Sequence, residues 1–138
     1  MEGQTSLTEA DLVDEVRRYL AERGVKTWGE VPCFDRSIDF VYLNPFTAVE
    51  AKLADWRGGL IQAQRHNLAI DYGYVLLPRR NVTDKMRKAF DFKGIGLYLW
   101  DGSLMEAIKP RRSTEIWEPA RERVLKALEE VERVENGR

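Results

Sequence analysis

Cysteine is nearly missing from this chain. Cys33 is the only one in 138 residues, so no internal disulfide can form. It is expected to be a small packing residue near a turn rather than a nucleophile. Histidine is equally scarce, with His66 alone. No run approaches the ~18 apolar residues of a membrane span, and Met1-Glu2-Gly3-Gln4 lacks the basic start and apolar core of a signal peptide. No membrane association and a cytoplasmic, intracellular location are therefore expected. There is no internal repeat, low-complexity tract, zinc-ligand spacing or phosphate loop. Gly94-x-Gly96 lacks the third glycine and following helix of a dinucleotide fingerprint.

What is present describes one globular domain over residues 1–138, with 43% hydrophobic and 33% charged residues. The net charge of −1 does not advertise a polyanionic partner, but its distribution is uneven. From Lys52 to Lys93 there are nine lysines or arginines against four aspartates, a net of +5, and the acidic excess lies at the two ends. That asymmetry is compatible with a phosphate-facing middle, or with exposed helices that are merely solvated.

The most informative stretch runs from Ser37 to Lys52. It reads as two short strands about Asn44-Pro45, the first carrying Asp39, the second Glu50 and Lys52. Strand alternation points Glu50 and Lys52 to one face and Val49 and Ala51 to the other. If the strands pair as a hairpin, Asp39 stands level with them. Two carboxylates and a lysine inside apolar strands are costly unless mutual pairing or a cation compensates them, so the cluster is a structural ion pair or a site. As a site it suits a hard divalent cation, Mg²⁺ or Mn²⁺, with Asp39 and Glu50 as metal ligands. Lys52 is then placed to orient or deprotonate a nucleophilic water, or to stabilise the charged transition state.

Asp39, followed after eleven residues by Glu50-Ala51-Lys52, resembles the signature of the PD-(D/E)XK nucleases, the restriction-endonuclease-like superfamily. The resemblance covers about residues 8–100. It implies an α/β fold with an αβββαβ core, a mixed central sheet flanked by helices, to which this chain adds a C-terminal helix. It also implies a Mg²⁺-dependent endonuclease hydrolysing phosphodiester bonds, with DNA the expected nucleic acid and with structure-specific or nonspecific cutting in so short a chain. Gln62 on the second helix matches the polar residue that supports the family's site. Glu15 on the first helix is the carboxylate carried over as approaching the metal, with Glu9 its rival. Ile38 stands where the family name has proline. A noncatalytic nucleic-acid-binding or assembly module that keeps the fold is the alternative from another class, and a plain structural ion-pair network is a third.

The remaining segments fit this frame. Thr8 caps a helix from Glu9 to about Arg23, with Leu12, Val13, Val16, Tyr19 and Leu20 on one face; residues 1–7 form a lead-in. Val25 to Val31 is the first strand, ended by Pro32, with Glu30 a solvated strand residue near the site; Asp35 suits the following turn. Gly58-Gly59 permits a tight turn or a close backbone approach to a ligand before a helix from about Leu60 to Tyr72. That helix has no clean apolar stripe, and Gln62, Arg65 and His66 share one side of it. Tyr74 to Leu77 is a buried strand, leading to Arg79 and Arg80 at a strand exit, where phosphate contacts are expected. Arg57, Arg65 and His66 complete the expected nucleic-acid contacts, His66 having packing as its other reading. A helix follows from near Thr83 to about Phe92. A strand over Gly94 to Trp100 turns at Asp101-Gly102 into Leu104 to Ile108. The terminal helix, about Glu118 to Glu135, carries Val124, Leu125, Leu128 and Val131 as an apolar seam, for docking on its own domain or for a homodimer.

Overall fold

The computed structural model describes residues 7–34 and 36–136. The turn residue Asp35, and the expected lead-in apart from Leu7, lie outside the described residues. The chain folds as α1 (Glu9–Glu22), β1 (Trp28–Cys33), β2 (Arg36–Tyr42), β3 (Thr47–Ala51), α2 (Trp56–His66), β4 (Tyr72–Pro78), α3 (Asp84–Lys93), β5 (Gly96–Trp100), β6 (Leu104–Ile108) and α4 (Glu118–Asn136). It is an α/β protein with a six-stranded open sheet in the order β1-β2-β3-β4-β5-β6. The sheet is mixed: β3, β4 and β5 run parallel, while β1–β2, β2–β3 and β5–β6 pair antiparallel.

Polar side chains start three of the helices. Thr8 Oγ1 accepts from the Asp11 N–H at 3.0 Å while Asp11 Oδ2 accepts from the Thr8 N–H at 3.0 Å, a reciprocal capping box. Asp55 Oδ1 accepts from the Gly58 N–H at 3.0 Å, and Thr83 Oγ1 from the Met86 N–H at 3.1 Å.

Two expected boundaries moved, each for a physical reason. Pro32 does not end β1, because β1 is an edge strand and a missing N–H on its outer side costs no ladder bond. The second helix runs Trp56–His66, not Leu60 to Tyr72. At its start the Asp55 cap draws Gly58 and Gly59 into the helix. At its far end Asp71 and Tyr72 donate their N–H groups to Phe46 O at 2.9 and 3.2 Å, which starts β4 early.

The two faces of the sheet are covered differently. On one, Leu12 and Val16 of α1 pack on Phe40, Val49, Ala51, Tyr74 and Leu76. On the other, Trp56, Leu60 and Ala63 of α2 with Met86 and Phe90 of α3 cover Val75, Leu77 and Leu97, while Ala120, Val124 and Leu128 of α4 cover Val31, Ile38 and Val41. Leu12 and Val16 are wholly buried, each worth about 1.5–3 kcal/mol of transfer free energy. Most of the terminal helix's seam is thus spent on its own sheet, leaving Leu125 exposed. Among the described residues no helix is long and apolar enough to cross a membrane.

Candidate active site

Strand register gathers the carboxylates. Phe40 pairs with Val49 across β2–β3, so one step along Asp39 stands opposite Glu50. On the other side Gly29 pairs with Phe40 and Val31 with Ile38, which sets Glu30 opposite Asp39. Glu30, Asp39 and Glu50 therefore form one row across three strands. Glu30 has φ of 49°, and here the ladder breaks: Ile38 and Val41, three apart, both face α4. Asp39 lines a groove of about 540 Å³ with Glu9, Asp14, Arg17 and Glu30.

Glu50 is only 5% exposed, and its Oε1 is buried without a hydrogen-bond partner. Burial, reinforced by the Asp39 carboxylate beside it, pushes the Glu50 carboxyl up to about 8. Asp39 is also raised by burial, against the pull of the Ala51 N–H, which donates to Asp39 Oδ2 at 2.8 Å. The two carboxyl groups lie close enough to share a proton, and the charges of Lys52 and Glu9 reach Glu50. Two adjacent acids that resist ionising together are the converse of a satisfied ion pair.

Helix α2 lies close against these strands. A Cβ at Gly59 would come 2.9 Å from Val75 Cγ1 and 3.2 Å from Lys52 Cγ. Gly59 is therefore a helical packing contact for Val75 and the Lys52 stem, not part of a tight turn before the helix. One turn on, Gln62 Oε1 is buried without a partner, and a further turn on His66 Nε2 lies 3.9 Å from Glu50 Oε1. Gly59, Gln62 and His66 thus share the side of α2 that overlooks Lys52 and Glu50.

Two expectations are corrected in detail. Glu15 does not turn to this cluster: its Oε1 accepts from Trp100 Nε1 at 2.8 Å. Six residues rotate a helix by about 240°, so Glu9 and Glu15 cannot face the same way, and Glu9 is the helix carboxylate whose field reaches Glu50. His66 is 4% exposed and so is no surface phosphate contact; burial, with the Arg65 charge, takes its imidazole down to about 4. Glu30 is an exposed strand residue as expected, yet its charge acts on Asp39.

Of the other basic candidates Arg57, Arg65, Arg79 and Arg80 are exposed, while Lys52 is half-buried. Lys52, Arg79 and Arg80 follow the carboxyl ends of the parallel strands β3 and β4, the edge where α/β sheets take ligands. Arg79 is engaged with Asp101 at 2.7 Å, and Arg80 donates to Asn81 O at 2.9 Å. Arg57 lies over the Trp56 ring at 4.2 Å, in the first turn of α2 at the same edge. Arg65 is exposed near the opposite end of α2.

Among the described residues no three Asp, Glu, His or Cys side chains are grouped to hold an ion by themselves. Mg²⁺ typically takes one or two carboxylates together with water and substrate phosphate. Asp39 and Glu50, adjacent carboxyl groups of which Glu50 keeps one oxygen unpartnered, are hard oxygen donors that fit such an ion. No family model, no curated protein and no solved structure matches the chain.

Proposed function

We propose that the protein is a metal-dependent nuclease that hydrolyses phosphodiester bonds in nucleic acid, with DNA as the expected substrate. The observation that carries this reading is Glu50: a nearly buried carboxylate with one oxygen unpartnered, facing Asp39, two residues from Lys52. The element order α1-β1-β2-β3-α2-β4 supports a restriction-endonuclease-like core. Asp39 and Glu50 would hold Mg²⁺ or Mn²⁺, which when bound supplies Lewis-acid polarisation of a phosphoryl oxygen. Lys52, one residue beyond β3, lies with its stem against α2 on the side where Glu50 meets His66, so its ammonium can orient the attacking water and offset charge growing on the phosphate. Gln62, its amide oxygen buried beside these groups, can hold that water or Lys52 in place. Arg57 and Arg80 at the sheet's carboxyl edge supply phosphate contacts that position the backbone without reading sequence.

A structural ion-pair network is disfavoured because it would leave no carboxylate oxygen unpartnered. The test is cleavage of labelled single-stranded, duplex, flapped and four-way-junction DNA with Mg²⁺, Mn²⁺ or EDTA, using wild type beside Glu50→Gln. Metal-dependent cutting that disappears in the variant is expected. Binding without cutting by the wild type would instead indicate a noncatalytic nucleic-acid module.

A further inference from the structure

Helix α2 carries a buried imidazole that the proposed hydrolysis does not use. His66 is 4% exposed, its Nδ1 is buried without a hydrogen-bond partner, and its Nε2 faces Glu50 Oε1 at 3.9 Å, an oxygen that also lacks a partner. These facts decide where the imidazole proton sits. Placed on Nδ1, it would bury a donor with nothing to receive it. Placed on Nε2, it points at a carboxylate.

The position of the ring is fixed from two sides. Gly59 lets the helix rest on Val75, and Gly73 does the same further along, where a Cβ would come 2.9 Å from Asn67 Oδ1 and 3.5 Å from Ala63 O. The Ala69 and Ile70 N–H groups donate to His66 O at 2.9 and 3.2 Å, holding the backbone at this point.

We infer that His66 is the positioning residue for Glu50: its Nε2–H donates to Glu50 Oε1 when the carboxylate is ionised, leaving Oε2 to face Asp39 and the ion. The present separation is roughly 1 Å longer than an ordinary N–H···O bond, and such contacts commonly tighten when the site is loaded. A ligating carboxylate is generally oriented by a donor behind it, and loss of such a donor typically weakens metal binding about 10–100-fold. The inference rests on the nuclease reading for its ion, but not for the His66–Glu50 bond.

Because His66 is the only histidine, its ring gives a single set of imidazole signals in ¹H–¹⁵N spectra. In spectra recorded above pH 8, where the Glu50 carboxylate is ionised, the Nε2–H tautomer is expected, with a slowly exchanging proton whose protection falls in Glu50→Ala. The Nδ1–H tautomer, or a ring proton indifferent to Glu50→Ala, would overturn the inference. Mg²⁺ titration by calorimetry gives the second measure: His66→Phe, which keeps a ring but no donor, should weaken binding about tenfold. His66→Gln, which restores a donor, should stay within about threefold of wild type. Wild-type affinity in His66→Phe would count against the positioning role. Wild type that takes up no Mg²⁺ yet loses ring protection in Glu50→Ala would uphold the His66–Glu50 bond and remove the nuclease reading.

Discussion

Two buried acids stand on the same sheet, and their environments are opposite. Asp71, at the amino end of β4, receives Arg121 NH1 on Oδ1 at 2.9 Å and NH2 on Oδ2 at 3.4 Å, with Arg112 3.5 Å away. The Arg121 guanidinium holds its carboxyl below the usual carboxylate range. Glu50 lies on the neighbouring strand beside Val75, about 13 Å further along by strand rise, and has another carboxylate for a neighbour. Asp71 shows how this fold makes a structural ion pair: a forked arginine takes both oxygens. Glu50 has an unpartnered oxygen, a raised carboxyl and no such fork, the features on which its proposed ligand role rests.

The largest effect expected from this contrast is on catalysis. Glu50→Gln and Lys52→Ala should each reduce metal-dependent cleavage by at least about 10²-fold, the scale for removing one transition-state-stabilising group. Circular dichroism should show both variants folded. Either purified variant cutting at the wild-type rate would sink the assignment, whereas Asp71→Asn should leave the cleavage rate per folded molecule unchanged.

Stability should sort the two acids the other way. Asp71→Asn removes charge-assisted bonds that tie α4 to the sheet and should cost about 2 kcal/mol at pH 7 in urea unfolding. Since the folded carboxyl titrates below its ordinary 3.8, its contribution is present above that pH and is lost as pH falls through the lower folded value. The difference between variant and wild type should therefore shrink in strong acid. A gap that persists there would assign the loss to packing, not charge.

How much of this contrast was legible in the sequence depended on distance along the chain. Glu50 and Lys52 are two residues apart, and a hairpin brings Asp39 level with them, so alternation and a short turn sufficed. The amphipathic stripe of α1 and its Thr8 cap were equally local. Asp71 and Arg121 lie 50 residues apart, and no local pattern joins them. Glu30 joins the carboxylate row through cross-strand register and a positive φ, neither of which periodicity reveals. Gly58-Gly59 read as a break because glycine weakens helices, but contact with Val75 outweighs that preference at Gly59. The missing stripe on α2 misled, because the expected start at Leu60 cut off Trp56 and Gly59: with them, Trp56, Gly59, Leu60, Ala63 and His66 are buried along one side of the helix.

A smaller effect should appear at Glu50 when no divalent ion is present. Its folded carboxyl titrates near 8 against an ordinary 4.5, so the native state binds the proton more tightly than the unfolded chain. The resulting stabilisation is full below 4.5 and is lost as pH rises towards and past 8. Glu50→Gln abolishes that loss and should melt about 2–5 °C above wild type at pH 8.5 in EDTA. Added Mg²⁺ should raise the wild-type midpoint and leave the variant's nearly unmoved. A variant less stable than wild type in EDTA would place Glu50 with Asp71, as a structural acid.

The smallest effect tests a third aspartate–arginine pair, which shares the chemistry of Asp71 but not its burial. Arg79 meets Asp101 at 2.7 Å where both side chains face solvent, at the edge proposed to receive phosphate. Water and salt screen such a pair, so Asp101→Asn should shift the melting midpoint by no more than about 1 °C. Its effect should fall on binding instead. Once released from its partner, Arg79 can neutralise a phosphate, and log K against log salt for duplex DNA should steepen by at most about one unit. A melting loss comparable to that of Asp71→Asn would mean that burial does not separate these pairs. An unchanged salt slope would remove Arg79 from the phosphate-contacting edge and leave Arg57 and Arg80 to carry it.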